Sequence, residues 1–103
     1  MINSITSEVA ANTDVEVFNT STVNVAIKGT IIYNKSSDDA NVLLKFKNPE
    51  DFTFLNLIIK PSESLLISDD IYVPINNSLV INSTQDVNVV FSFIEDTKVN
   101  TIV

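Results

Sequence analysis

The chain is a succession of short apolar runs in which hydrophobic and polar positions alternate. Val15-Glu16-Val17, Val23-Asn24-Val25-Ala26-Ile27, Val42-Leu43-Leu44-Lys45-Phe46 and Val87-Asn88-Val89-Val90-Phe91-Ser92-Phe93 show it most clearly. Successive side chains of a strand point to opposite faces, so a period of two marks half-buried β-strands and not helices. Asn, Asp, Ser or Pro bounds each run and supplies turn chemistry. Many short strands separated by close-set turns predict an all-β fold: an antiparallel β-sandwich, Ig-like or jelly-roll-like, with about eight strands in a single domain.

Along the chain, residues 1–12 read as an N-terminal arm or edge strand, 13–96 as the sandwich and 97–103 as a C-terminal tail. Within the arm, Glu8-Val9-Ala10-Ala11 has the composition of one helical turn, too short to stand alone. The run from Val23 to Gly29 continues in pattern through Thr30-Ile31-Ile32-Tyr33. Gly29 is the sole glycine, and inside a strand pattern it predicts a bulge, a bend or a close backbone approach, allowing one long strand to turn the corner between two sheets. Turns are expected at Asn34–Asp39, Asn48-Pro49-Glu50-Asp51, Lys60-Pro61-Ser62-Glu63-Ser64 and Ile75-Asn76-Asn77-Ser78. Phe52 to Ile59 is apolar on both faces, which predicts a strand buried on two sides.

Composition narrows the chemistry. With 103 residues, 45% of them hydrophobic, the chain has the material for one packed core. It has no cysteine and no histidine, which removes disulfides, thiol nucleophiles, His-dependent triads and the common zinc sites. One glycine cannot build a phosphate-cradling loop or a G-x-S-x-G elbow. The formal charge is −7 and every basic residue is lysine. That field opposes binding to nucleic acid or to an anionic membrane, so neither is expected as a partner. The first residues have neither the basic nor the apolar segment of a secretory signal, and no run approaches the length of a membrane span, so export by the general pathway is not expected.

Carboxylate pairs remain at Asp38-Asp39, Glu50-Asp51, Asp69-Asp70 and Glu95-Asp96. A hard cation would favour Asp69-Asp70, between two strands, but no D-x-D-x-D-G loop accompanies it and solvated loop charge is the plainer reading. A two-carboxylate glycosidase needs a cleft with flanking aromatics, and the chain has no tryptophan. No catalytic, cofactor-binding or metal-ligating residue is assigned, no cofactor is implied, and the expectation is a protein that is not an enzyme. Tyr33 and Tyr72 sit near strand ends, where a ring packs and frees its hydroxyl, or binds a partner. Phe18, Phe46, Phe52, Phe54, Phe91 and Phe93 are expected in the core.

The order of features has a parallel. Val23-Asn24-Val25-Ala26-Ile27-Lys28-Gly29-Thr30-Ile31-Ile32-Tyr33-Asn34 is followed by Ala40-Asn41-Val42-Leu43-Leu44. Then come Ile59-Lys60-Pro61-Ser62-Glu63-Ser64-Leu65-Leu66-Ile67, Leu79-Val80-Ile81-Asn82-Ser83 and Val87-Asn88-Val89-Val90-Phe91-Ser92-Phe93-Ile94-Glu95. This succession resembles small β-sandwich virion structural proteins of tailed bacteriophages, in which a Pro-Gly-Glu-Ser-Leu type turn precedes a short strand. Ser62 stands where that group usually has glycine, and Pro74-Ile75-Asn76-Asn77-Ser78 replaces its Gly-Asp turn. The resemblance implies a capsid-decorating, head–tail or tail-associated subunit, located in a virion assembled in the host cytoplasm. Its partners would be other virion proteins, such as major capsid or tail subunits, and further copies of itself in a homo-oligomer. Ile2, Ile5, Ile102 and Val103, apolar residues near the chain ends, are candidate subunit contacts, or else cover one edge of their own domain. The alternative function is a surface recognition module, adhesin-like or receptor-binding, presenting the Asn34–Asp39 and Ile75–Ser78 loops as one face.

Overall fold

The structure is a computed structural model and describes residues 2–20, 23–47 and 51–96. The described residues form nine strands: β1 Asn3–Val9, β2 Val15–Thr20, β3 Asn24–Asn34, β4 Ala40–Phe46, β5 Phe52–Ile59, β6 Ser64–Ile67, β7 Ile71–Val73, β8 Asn77–Ser83 and β9 Val87–Asp96. They make two antiparallel sheets. The first has the order β1-β9-β3-β6, with β7 also pairing β3; the second has the order β2-β8-β4-β5. The fold is a β-sandwich. Taking β6 and β7 as one interrupted strand leaves eight, arranged 1-8-3-6 over 2-7-4-5. That is a jelly-roll connectivity and not an Ig-like one.

Alternation along each strand builds the core. In β3 the side chains of Val25, Ile27, Ile32 and Thr30 are buried, whereas Lys28, Ile31 and Tyr33 face out. Val87, Val89, Phe91 and Phe93 of β9 point inward against Val42 and Leu44 of β4 and Leu79 and Ile81 of β8 in one cluster. Phe18 crosses from the second sheet to the first, edge-on to Phe91 at 5.6 Å and to Phe93 at 4.9 Å between ring centroids. Such edge-to-face pairs add about 0.5–1.5 kcal/mol beyond their buried area.

Polar side chains close the ends of the sandwich. Asn34, fully buried, donates from Nδ2 to the carbonyls of Asp38 (2.8 Å) and Ile59 (2.9 Å), and its Oδ1 accepts from the Ser36 amide. At the other end Thr20 Oγ1 donates to the Pro74 carbonyl and accepts from the Asn77 amide. These bonds replace the ladder where strands give way to turns.

Residues 3–9 form β1, an edge strand paired with β9 along its whole length. Two expectations change. Gly29 does not turn a corner between sheets: β3 stays in the first sheet and bulges there, with Lys28 as the extra residue between Ile27 opposite Phe93 and Gly29 opposite Ser92. The bulge is where β3 changes partners on its other side, from β7 at Val25–Ile27 to β6 at Thr30–Tyr33. Nor is β5 buried on two sides. It is the last strand of the second sheet, and Phe52 and Ile58 are exposed. The Asn48-Pro49 turn and the tail from residue 97 lie outside the described residues.

Candidate functional site

The two sheets part along one side of the sandwich. There β5 ends the second sheet, while β6 and β7 end the first. Between them lies a cleft of about 350 Å³. Phe46, Phe54 and Leu55 line it from the second sheet, and Ile67, Ile71 and Tyr72 from the first. Phe46 and Phe54 stack at 4.5 Å between centroids and 18° between planes. Their approach follows from a bulge in β5: Leu44 pairs with Leu55 and Lys45 with Thr53, which leaves Phe54 as the extra residue.

Asp69 and Asp70 complete the lining, in the link that interrupts the sixth strand of the jelly roll. Asp70 Oδ2 accepts from Lys28 Nζ at 2.6 Å, so the β3 bulge and the β6–β7 link are held to each other. Apolar walls beside carboxylates suit an apolar group carrying positive charge. Among the described residues no group of three or more Asp, Glu, His or Cys side chains is placed to hold a metal ion, and Asp69-Asp70 shares its link with no third carboxylate.

Exposed apolar side chains stand on the strands that border this cleft, and one of them, Tyr72, lines it. Ile58 is 70% exposed, Leu66 66%, Phe52 59% and Tyr72 56%, and all four stand on β5, β6 or β7. Ile31, across from Leu66 in register, extends the patch onto the outer face of β3. The signal in the sequence was the two-faced apolar pattern of Phe52–Ile59. It marks a strand buried on both sides or an edge strand that offers apolar surface, and only the sheet order tells the two apart. Of the six phenylalanines, Phe18, Phe91 and Phe93 are buried in the core; Phe46 and Phe54 pack at its margin, and Phe52 does not join it.

The remaining candidates lie elsewhere. Ile2 is exposed just before β1, on the opposite edge of the first sheet from β6 and β7. Ile5 sits on the inward row of β1, opposite Phe91, and is only partly covered. Ile102 and Val103 lie outside the described residues. The loops after Asn34 and around Ile75–Ser78 do not form one face. The first follows the C-terminal end of β3, whereas the second bonds to Asn24 and Thr20 beside its N-terminal end, a whole strand away.

On the outer face of the second sheet, Asp14 accepts from Asn82 Nδ2 at 2.8 Å and pairs with Lys45 Nζ at 3.3 Å. The Asn82 hydrogen bond outweighs the opposing effect of burial and, with smaller help from Lys45 and Lys47, holds its carboxyl below the usual carboxylate value.

No protein-family model matches the chain, and no curated protein matches it. Among solved structures, the crystal structure of PirA is similar, with a TM-score of 0.57 and 13% sequence identity over 86% of this chain and 92% of that one. At that identity the likeness is one of fold.

Proposed function

We propose that this chain is a non-enzymatic structural subunit that works by protein–protein contact, and that the assembly it serves is the virion of a tailed bacteriophage. The observation that carries the contact is the exposed apolar surface of β5, β6 and β7, the strands bordering the cleft, on which four large side chains are more than half exposed. Exposed apolar patches of this kind mark interaction surfaces more often than scattered single residues do. The virion follows from the resemblance in strand and turn order, and a jelly-roll sandwich suits it, since that architecture recurs in capsid domains. Repeated sites on a lattice would add avidity to a modest single contact.

A second reading is favoured by the cleft itself. Jelly rolls also serve as lectin-type recognition domains, and a hollow with a stacked aromatic pair and two carboxylates can hold a small ligand. Quantitative mass spectrometry of purified particles from the source separates the two. Copies in the hundreds, scaled to the major shell subunit, indicate capsid decoration; about a dozen or fewer indicate collar, tail or spike. Absence from particles removes the virion reading and leaves the free recognition module.

A further inference from the structure

A jelly roll has four sheet edges, and three of them here carry the usual guards against pairing with another chain. β1 is polar and includes Glu8. β2 contains Glu16 and a bulge at Val17. β6 and β7 are short and separated by Asp69 and Asp70. β5 is different. It runs eight residues without a charge or a proline, in a chain of which 18% is charged, and its one irregularity, the Phe54 bulge, leaves Leu55–Ile59 in unbroken register with β4. Among the described residues nothing pairs with its free side.

We infer that the free edge of β5 pairs antiparallel with β5 of a second copy, joining two four-stranded sheets into one continuous sheet across a two-fold axis. The charges at the strand's ends select this occupant. Exposed Asp51 precedes β5 and exposed Lys60 follows it. In an antiparallel self-pairing each Asp51 end lies beside the partner's Lys60 end, so the contact is complementary to itself although the chain as a whole carries −7. Faces also match. A two-fold near Asn56 keeps Leu55, Leu57 and Ile59 of both copies on the core side and both Ile58 side chains on the outer side. Backbone hydrogen bonds supply the strand addition, and each Ile58 becomes part of the seam on the outer face, where the partner strand covers its apolar surface. The inference rests on the reading of this edge as a contact surface, and it does not need the particle to be a virion.

The test is sedimentation equilibrium of the purified full chain, from about 1 to 500 µM, with variants at the edge. The expected result is a reversible dimer of twice the 11.4 kDa protomer. Ile58→Lys places a charge on an already exposed position, so it should weaken the dimer at least tenfold while leaving the circular dichroism spectrum, and the Tm measured at concentrations where both proteins are protomers, unchanged. Lys60→Glu sets like charges at both ends and should weaken it several-fold. Adding Asp51→Lys to that variant should restore the wild-type constant. A protomer mass throughout the range, or a dimer indifferent to Ile58→Lys, overturns the inference. If the chain is a protomer in solution yet present in particles, self-pairing fails while the virion reading stands.

Discussion

Lys28 Nζ lies 2.6 Å from Asp70 Oδ2, across 42 residues of sequence, and ties the bulge of β3 to the break between β6 and β7. An uninterrupted sixth strand would have no partner for the bulged residue, so bulge and break occur at one level and the ion pair spans them. Both groups are well exposed, at 40% and 58% of their side-chain surface. The pair therefore contributes about 0.2–1 kcal/mol to stability. Lys28→Ala should lower Tm slightly in dilute buffer, and the difference should vanish in about 1 M salt, where exposed charges are screened. A loss that persists in high salt would show that the lysine acts by packing and not by charge.

Asn34 joins four segments: the end of β3, the loop at residues 36–38, the end of β5 and, through its backbone, Ser62 and Glu63 of the next turn. Asn34→Ala leaves the carbonyl of Ile59 without this buried donor, and should destabilise by about 1–3 kcal/mol. Urea unfolding should show a lower midpoint with an unchanged slope. The same burial shields the Asn34-Lys35-Ser36 sequon, since its Nδ2 is committed to two carbonyls in the folded chain.

Thr30 is fully buried on the inward face of β3, and its hydroxyl has no hydrogen-bond partner among the described residues. Valine keeps the branched shape and removes the stranded hydroxyl. Thr30→Val should stabilise by about 1 kcal/mol, read as a rise in Tm, whereas Thr30→Ser should stabilise nothing.

Asp14 gives the chain a pH dependence of known sign. Its folded carboxyl titrates below the unfolded value because Asn82 donates to the ionised form. The stabilisation is complete above the unfolded value of 3.8 and is lost as pH falls through the lowered folded one. A carboxyl NMR titration should place Asp14 below the ordinary aspartate value. Asn82→Ala should move it back toward the ordinary value and flatten the acid limb of stability.

Backbone strain shows how far local reasoning reaches. Asn76 adopts a left-handed φ of 66° in the turn before β8, as its residue type and turn context predict. Ser62 does so too, at 60°, following Pro61 in the Lys60–Glu63 turn. The glycine itself is not used in this way. Gly29 has no positive φ, and a Cβ built there meets nothing within 4 Å, so neither strain nor close approach explains it. Turn chemistry is read from four neighbouring residues. The need for a glycine depends on what lies across the sheet.

Alternation by itself determined the strands, their inward faces and the all-β sandwich, because a period of two is a local consequence of the pleat. It determined the burial of Ile27, Ile32, Leu44 and Ile81 for the same reason. Only the tertiary structure decided which strands became neighbours and which became edges. Phe52–Ile59 has the pattern of a central strand and yet stands at the margin; Lys28 met Asp70, and the loops expected to share a face stand at opposite ends of β3. Pattern specifies the face a side chain takes, whereas pairing between distant segments is set by the closure of the whole sandwich, and the candidate contact surface exists because that closure left one edge of β5 without a partner strand among the described residues.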